Sequence, residues 1–438
     1  MDKNLLHLQQ YINLHPLMGK KLKYKKAYVS LLQYVCDKSY EDEKWCTSMM
    51  SLYKQSLIPN EVVVAVEIDE KNNISFDGKN GWLLKYRFQK YRYVFLFDCL
   101  FMCAFNDKQK GKDILDDVCR LFPKNIKKLS NMFDAFYDEN YTYVKKEVPA
   151  SLNIYEIICN NRKFMNLTEK RIMITANMSA GKSTLLNALA GKKINKTQND
   201  TCTSKIHYLM NKAGEDGFSY ELDYDLELNA SQDLLMDDNE NNSTLEIYAS
   251  TRFRSLSAIE DKVCFIDTPG VNSSQNMEHK ILTDSTISDA NCDLLIYLLN
   301  GENIGTDDDI KHLRFVADNY HGQILFLINK LDEFKKDADS IPDTLKNVTE
   351  DLIKMGYESP RVYPISAYAA YLAKMSMNGE KLTEDEIDDL NFRKRKLSRA
   401  EFQYYRYYDV GLPEVDSSDE MSVLLVNSGI LSLEKLIY

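Results

Sequence analysis

The sequence has 438 residues, of which 44% are apolar and 28% are charged, with a formal net charge of −11. At about 150 residues per domain this length predicts two or three domains, and the apolar content excludes a mainly disordered chain. Residues 1–165 contain 26 Lys and Arg against 20 Asp and Glu, a net charge of +6, and the remainder carries −17. This uneven charge predicts two domains with different roles.

The nine cysteines are an odd number and include no Cys-x-x-Cys pair. Most of them lie in apolar runs, where a free cysteine behaves as a small hydrophobic residue. We therefore interpret them as reduced core thiols rather than as a disulfide framework or a zinc site. There is no signal-peptide pattern, and the longest apolar run, residues 93–105, is too short to span a membrane. These features predict a soluble, cytoplasmic protein.

Residues 1–165 have a mostly helical pattern. Apolar residues recur at helical spacing in three segments, residues 5–14, 28–35 and 113–122. Pro123 is expected to end the third of these helices. Residues 62–68 and 74–76 predict a strand, a turn and a second strand. We therefore predict a mostly α-helical N-terminal domain over residues 1–165, a candidate for contact with a partner or a membrane.

From about residue 166 the pattern changes to short apolar runs that alternate with amphipathic stretches. Six runs have the length of strands: Ile172–Thr175, Ile206–Met210, Val263–Ile266, Leu294–Leu299, Ile324–Ile328 and Val362–Ile365. Strands that alternate with helices predict an α/β domain over residues 166–438, with a doubly wound, mainly parallel sheet. Because ligands of such sheets bind at the carboxyl ends of the strands, the residues after each run are candidates for a functional site.

The first run leads into ANMSAGKST at residues 176–184, which fits GxxxxGK[ST] with alanine at the first glycine position. This motif wraps backbone N–H groups around phosphate oxygens at a helix N-terminus. Gly181 allows close approach of the backbone, Lys182 reaches the β- and γ-phosphates, and the Ser183 hydroxyl is a ligand of Mg²⁺. Ala180 and Thr184 flank these three residues in the motif. The pattern predicts a P-loop nucleotide site.

The third run is followed by Asp267 in the sequence DTPG. A carboxylate here can hold Mg²⁺ through water, and the N–H of Gly270 can contact a γ-phosphate. The segment ahead of this motif contains three candidates for a switch threonine, Thr197, Thr201 and Thr203, which would bind Mg²⁺ and the γ-phosphate. We favour Thr203, directly ahead of the second run, over Thr201.

The last two runs are followed by base-reading candidates. Asn329-Lys330-Leu331-Asp332 follows the fifth run, and the Asp332 carboxylate can accept two hydrogen bonds from guanine that adenine cannot supply. Ser366-Ala367 follows the sixth run, and a backbone N–H there can donate to guanine O6. Four such motifs in this order, each at the end of a predicted strand, indicate a guanine-nucleotide site.

With these motifs, residues 166–438 resemble the GTPase domain of the dynamin superfamily, specifically of bacterial dynamin-like proteins. The resemblance is carried by MSAGKSTLLNALAGKKI, TQNDTCTSKIHYL, FIDTPGVNSS, FLINKLD and YPISA, and NSGILSLEKLIY resembles the helix that closes such domains. It implies Mg²⁺-dependent hydrolysis of GTP to GDP and phosphate, stimulated when two GTPase domains meet across their nucleotides. It also implies self-assembly, usually coupled to membrane binding or remodelling.

One position departs from the family pattern. Met178 stands where dynamins commonly have a catalytic glutamine, which places turnover in doubt. Ser179 matches the position that helps to bind a charge-compensating monovalent cation, and with Lys182, Thr203 and Gly270 it completes the predicted catalytic set. The alternative interpretation is a GTP-binding switch or scaffold with negligible turnover that controls a partner protein.

Family members extend a helical stalk and a membrane-binding tip beyond the GTPase domain, whereas this sequence ends at Tyr438. We expect the helical bundle to come from residues 1–165 or from a second dynamin-like chain, or the sequence to be a shortened form. The expected partners are a second copy of the GTPase domain, such a second chain, and an anionic surface at the inner face of the cell membrane. No nucleic-acid partner is expected.

Three charged segments have alternative interpretations. The basic segments 20–26 and 82–93 suit anionic lipid, although we favour a solvated helix face with the aromatic residues buried. Residues 213–251 contain eleven acids and no Lys or Arg, and we favour a solvated loop over an acidic docking face. Thr383-Glu-Asp-Glu386 predicts a capping box, and the bases at 393–396 suit the end of the same helix without any ligand.

Overall fold

The computed structural model describes residues 1–40, 43–69, 73–80, 88–177, 179–194, 205–237, 246–268, 285–287, 292–334, 340–412 and 415–438. Its internal contacts divide the chain into two compact units. The first unit comprises residues 1–166, 213–220 and 225–229, and the second comprises residues 167–212, 221–224 and 230–438. The first unit is therefore discontinuous in sequence.

The first unit is mostly helical. Its α-helices are α1 (Leu22–Tyr40), α2 (Lys44–Leu57), α3 (Arg92–Cys103), α4 (Lys108–Leu121), α5 (Ile126–Asp138), α6 (Tyr141–Glu147) and α7 (Leu152–Met165). Helix α3 packs against α1, α2, α4 and α5. Its sequence RYVFLFDCLFMC has almost no polar face, and a helix that is apolar on all sides is buried in a core.

The two strands predicted on either side of residue 70 are confirmed, whereas residues 70–72 of the predicted turn lie outside the described residues. The strands are β1 (Val66–Ile68), β2 (Ile74–Phe76) and the short β3 (Lys79–Asn80), which form an antiparallel sheet. The first strand begins at Val66 and not at residue 62.

The predicted helix over residues 5–14 is wrong. This segment forms two short 3₁₀ helices, Lys3–His7 and Ile12–Leu14. The segment is not one α-helix because, between the two short helices, backbone N–H groups donate to distant side chains and not to carbonyls four residues earlier in the chain. The Gln9 N–H donates to Asn161 Oδ1 at 2.8 Å, and the Gln10 N–H donates to Asp216 Oδ2 at 2.6 Å. The apolar pattern thus predicted burial of this segment but not its backbone conformation.

One carboxylate, Asp98 of α3, lies in the core of the first unit. Its Oδ1 accepts hydrogen bonds from the hydroxyls of Tyr11 and Tyr53, both at 3.0 Å. Its Oδ2 accepts one from Tyr28 at 2.5 Å and lies 3.1 Å from His15 Nε2. All five side chains are buried. Because a buried charge is costly unless it is hydrogen-bonded, this network explains how an aspartate lies inside a helix that is otherwise almost wholly apolar.

The interpretation of residues 213–251 as a solvated loop is wrong for residues 213–229. The Ala213 N–H donates to His7 O at 2.9 Å, and the Tyr220 hydroxyl donates to Leu8 O at 2.8 Å. Tyr220 is fully buried, and its ring centroid lies 6.4 Å from that of Trp45. These contacts belong to the first unit. The acidic composition of the segment concealed the few apolar side chains that anchor it.

The predicted α/β class is confirmed by a nine-stranded sheet. Its remaining strands are β4 (Lys170–Ala176), β5 (Ile206–Asn211), β6 (Tyr220–Leu222), β7 (Leu226–Glu227), β8 (Glu246–Thr251), β9 (Val263–Asp267), β10 (Leu294–Asn300), β11 (Ile324–Asn329) and β12 (Arg361–Ile365). The order is β12-β11-β10-β4-β9-β5-β8-β6-β7. Neighbours from β12 to β9 pair in parallel, whereas β5 is antiparallel to β9. Each of the six predicted runs is a strand.

Helices follow or flank these strands. They are α8 (Lys182–Ala190), α9 (Gln232–Asp237), α10 (Asp307–Asn319), α11 (Ile341–Lys354), α12 (Ala367–Met377), α13 (Glu384–Leu397), α14 (Glu420–Asn427) and α15 (Ile430–Ile437). The predicted capping box at Thr383 is confirmed at the start of α13. Within the described residues, no helix has the length and apolar character needed to cross a membrane.

The strand register brings the motif loops to one edge of the sheet. Ile174 of β4 pairs with Asp267 of β9, and Asn329 of β11 pairs with Ile365 of β12. Because these strands are parallel and β10 joins β4 to β11, the carboxyl ends of β4, β9, β11 and β12 share an edge. Each of the four motifs begins at one of these ends.

Candidate functional site

The loop between β4 and α8 has the backbone conformation of a tight phosphate-binding turn. Ser179 and Gly181 both adopt the left-handed conformation, with φ of +61° and +93°. Gly181 is the N-cap of α8, so the N–H groups of the first turn, from Lys182 to Thr184, begin directly after it. A helix N-terminus that leaves such donors free is a ready site for an anion.

Asn329 joins the phosphate loop to the loop after β12. Its Nδ2 donates to Ala180 O at 2.8 Å, and its Oδ1 accepts the Ala367 N–H at 3.0 Å. The Asn329 side chain lies so close to the loop that there is no space for a side chain at Gly181, because a Cβ there would lie 2.4 Å from Asn329 Nδ2. Asn329, the first residue of NKLD, therefore fixes the distance between two loops of the candidate site.

Lys182 and Asp267 form an ion pair beside the phosphate loop. Lys182 Nζ contacts Asp267 Oδ1, and the two side chains are only 10% and 1% exposed. The pair places a cation and a carboxylate where a phosphate would attract the lysine and a metal ion would attract the carboxylate. Ser183, half-buried, adds a hydroxyl in the same turn. Hydroxyl and carboxylate oxygens are the hard ligands that suit Mg²⁺, so these residues fit the predicted ion.

Asp332, the predicted guanine-reading residue, is only 2% exposed. Burial raises the pKa of its carboxyl, and the positive charge of Arg393 opposes this effect. Arg393 Nε lies 3.2 Å from Asp332 Oδ2, and its two terminal nitrogens reach Glu333 at 2.8 Å and Asp389 at 3.0 Å. Arg393, in the basic last part of α13, thus has specific partners within the protein, and no ligand is needed to explain its charge.

Of the contacts that Arg393 makes, the one with Asp389 could be predicted from the sequence and the one with Asp332 could not. Asp389 and Arg393 are four residues apart on α13, a spacing that predicts their ion pair. Arg393 and Asp332 are 61 positions apart in sequence, so only the tertiary fold reveals their contact.

The loop after β12 has both of its predicted donors engaged. The Ser366 N–H donates to Ser428 O at 2.9 Å, and the Ala367 N–H donates to Asn329 Oδ1. A bond from Ala367 to guanine O6 therefore requires this N–H to be shared with Asn329. Lys330, in the left-handed conformation with φ of +65°, extends towards Glu302, with Nζ 3.6 Å from Oε2.

Several predicted site residues lie outside the described part of the chain. They are Met178, Thr197, Thr201, Thr203 and Gly270. The structure therefore brings together the phosphate loop, Asp267, NKLD and Ser366-Ala367, while the switch threonine and the glycine of DTPG remain predictions.

Comparison with known proteins agrees with this arrangement. Residues 172–331 match the model of the dynamin family. Over 242 residues, or 54% of this chain, the sequence is 25% identical to a probable transmembrane GTPase, FZO-like and chloroplastic, from Arabidopsis thaliana. The aligned part covers 24% of the length of that relative.

Three solved structures show lower similarity. Era in complex with MgGDPNP and a segment of 16S ribosomal RNA is 16% identical, with a TM-score of 0.29 over 58% of this chain and 61% of that chain. Era from Aquifex aeolicus bound to GDP·AlF4⁻ is 16% identical, with a TM-score of 0.29 over 54% and 70%. The G domain of the FeoB iron transporter from T. maritima is 13% identical, with a TM-score of 0.27 over 51% and 99%.

The family match covers the phosphate loop and DTPG and ends at Leu331, within NKLD, so it reaches three of the four motifs that the sheet brings to one edge. The chain therefore contains a GTPase domain of the dynamin superfamily.

Proposed function

We propose that this protein binds GTP with Mg²⁺ and hydrolyses it to GDP and phosphate, and that nucleotide-dependent dimerisation of the GTPase domain activates hydrolysis. The observation that carries the proposal is the double hydrogen bond of Asn329, to Ala180 O and from the Ala367 N–H. It couples a phosphate-binding loop to a guanine-reading loop. One nucleotide that extends from the first loop to the second would use both.

The phosphate end would use charges that are already in place. Lys182 would leave its contact with Asp267 and bind the β- and γ-phosphates, while Asp267 would turn to the water shell of the metal ion. Bound Mg²⁺, held by Ser183 and Thr203, would neutralise charge on the phosphates. The Gly270 N–H would add a donor to the γ-phosphate.

A monovalent cation near Ser179 is part of the proposal. Asn177 Oδ1, in the same loop, is buried and has no hydrogen-bond partner within the described residues. This oxygen and the strained backbone at Ser179 suit a small cation that compensates phosphate charge.

The guanine end can be tested by a change of base preference. The Asp332 carboxylate would accept from guanine N1–H and N2–H₂, whereas an amide in its place would present a donor. We expect Asp332→Asn to lose GTP hydrolysis and to gain hydrolysis of xanthosine triphosphate, whose C2 carbonyl accepts a hydrogen bond. The exposed Asp351→Asn is the matched control and should leave the preference for GTP unchanged.

Phosphate release at increasing protein concentration tests activation by dimerisation. We expect the rate per molecule to rise with concentration and Lys182→Ala to abolish it. A flat rate per molecule would contradict the dimer-activated mechanism. Equal use of GTP and ATP by the unmodified chain would contradict the base assignment.

A GTP-binding switch with negligible turnover is the second candidate, and Met178 is the observation that favours it. Methionine cannot orient a water molecule as glutamine can, so GTP binding would order loops that govern a partner. Recovery of intact GTP after long incubation with Mg²⁺ would support this function, and steady multiple turnover would exclude it.

We also propose self-association, with a second dynamin-like chain as a further partner, and peripheral contact with an anionic membrane from the cytoplasmic side. Lys20, Lys21 and Lys23 are exposed, which supports electrostatic contact, while Lys26 pairs with Glu61 at 3.0 Å. Each basic residue near an anionic surface contributes about 1 kcal/mol. Failure to co-sediment with anionic liposomes at low salt would exclude the membrane contact.

A further inference from the structure

Three cysteine side chains meet in the core of the first unit, far apart in sequence. Cys36 lies on α1, Cys46 lies on α2, and Cys103 is the last residue of α3. Cys46 Sγ lies 3.4 Å from Cys103 Sγ, which lies 3.5 Å from Cys36 Sγ. All three sulfurs are within 4.8 Å of one another, and the residues are at most 6% exposed. The thiols therefore converge on one point.

The spacing is close to that of three sulfur ligands around one metal ion. A metal–sulfur bond of about 2.3 Å places ligand sulfurs roughly 3.8–4.0 Å apart in tetrahedral or trigonal geometry. The observed contacts at 3.4 and 3.5 Å would need to open by only a few tenths of an ångström. Rotation about the Cα–Cβ bonds of the three cysteines can supply such a movement.

The hydrogen bonds among the thiols shift their pKa values in opposite directions. The hydrogen bonds of Cys46 with Cys103 and Cys36 lower the pKa of Cys46 to about 5. The hydrogen bonds of Cys36 with Cys103 and Cys46, together with burial, raise the pKa of Cys36 well above its usual value. These shifts reflect how closely the three sulfur atoms approach one another.

The three sulfur atoms are soft, polarisable metal ligands. Within the described residues, no histidine or carboxylate joins the three cysteines, and the nearby sulfur of Met102 lies 3.9 Å from Cys36 Sγ. Thiolate and thioether ligands select Zn²⁺ or Cu⁺ over Mg²⁺, Ca²⁺ or Mn²⁺. A cleft of about 500 Å³, lined in part by Glu43, Trp45 and Cys103, provides an entry path from the surface of the first unit.

We propose that Cys36, Cys46 and Cys103 form a binding site for one thiophilic metal ion with a filled d shell, Zn²⁺ or Cu⁺. This inference is independent of the nucleotide site, and it revises the interpretation of these cysteines as thiols that only fill the core. The three helices that provide the ligands would be joined by the ion.

Metal binding to the full-length, reduced protein tests the proposal under anaerobic conditions. The metal-free chain is titrated with Zn²⁺ or Cu⁺ in competition with a chromophoric chelator for each ion, and the ion that is retained more tightly identifies the metal. We expect one equivalent per chain. Cys46→Ser or Cys103→Ser should weaken binding more than about 100-fold, beyond the 10–100-fold effect of changes outside the ligand set.

Cys119→Ser, on α4 and outside the cluster, is the matched control and should bind like the unmodified chain. Circular dichroism checks that each variant folds. Because a ligand variant can fail to fold, alkylation of the unmodified chain gives a second measurement. Bound metal should protect the peptides of Cys36, Cys46 and Cys103 but not that of Cys119. Equal affinity in the Cys46→Ser variant, or alkylation that metal does not slow, would overturn the proposal.

Discussion

The buried carboxylate of Asp98 should hold the first unit together, and Asp98→Leu tests this. The change removes the acceptor of three tyrosine hydroxyls and of His15 and introduces an apolar side chain of similar size. Burial raises the pKa of Tyr11, Tyr28 and Tyr53, so each remains a protonated donor at neutral pH. A buried donor without a partner costs about 1–3 kcal/mol.

Four groups would lose their partner together. Even at the lower limit, Asp98→Leu should therefore reduce the free energy of unfolding by about 4 kcal/mol. That is a large part of the roughly 5–15 kcal/mol that stabilises a typical domain. Asp98→Asn keeps one carbonyl oxygen for two of the hydroxyls, so its effect should be smaller.

Tryptophan fluorescence during urea unfolding measures this effect in the correct unit. Trp45 is buried in the first unit, and the other tryptophan, Trp82, also precedes residue 166 in the sequence, so the signal reports on the first unit. Asp134→Asn removes an exposed acid near Lys108 and is the matched control, because exposed ion pairs contribute little. A loss of less than about 1 kcal/mol for Asp98→Leu would refute the reasoning, since it would mean that the four donors find other partners.

Two further changes address the nucleotide site. In a binding titration, Gly181→Ala should reduce GTP affinity at least tenfold, because its Cβ would meet Asn329 Nδ2 at 2.4 Å. Gly217→Ala, also at positive φ but in the first unit and with no atom within 4 Å, is the control and should leave GTP affinity unchanged. Arg393→Ala should raise the pKa of Asp332 further, so that GTP binding is lost at a higher pH when the solution is acidified. Arg393→Lys keeps a positive charge and should therefore show a smaller change in that pH. An unchanged pH profile would contradict a positioning role for this arginine.

The second unit was predictable because its signals are local. Each strand of the sheet core is a short apolar run, and each motif begins where its run ends, so residues such as Lys182 and Asp332 could be placed at one edge. What the sequence did not reveal is how that edge is held. The bonds from Asn329 to two loops, and the ion pair of Arg393 with Asp332, join residues that no periodicity connects.

The first unit was less predictable for the same physical reason. Helix α3 was recognisable as an apolar run, but its buried charge, Asp98, is explained only by donors on other segments. The segment around Gln9 has helical spacing of apolar residues and yet gives its backbone donors to side chains more than 150 positions away. Cys36, Cys46 and Cys103 have no metal-binding spacing in sequence, because three different helices bring them together.

The discontinuity of the first unit also dictates an order of synthesis. An N-terminal domain usually folds as soon as it has left the ribosome. Here Tyr220, which fills a place in the core beside Trp45, is translated only after strand β4, helix α8 and strand β5 of the second unit. Until Tyr220 has emerged, the Leu8 carbonyl lacks the hydroxyl donor that it has in the folded unit, and that part of the core is open. The helical unit, although encoded first, can be completed only after the phosphate loop has been made.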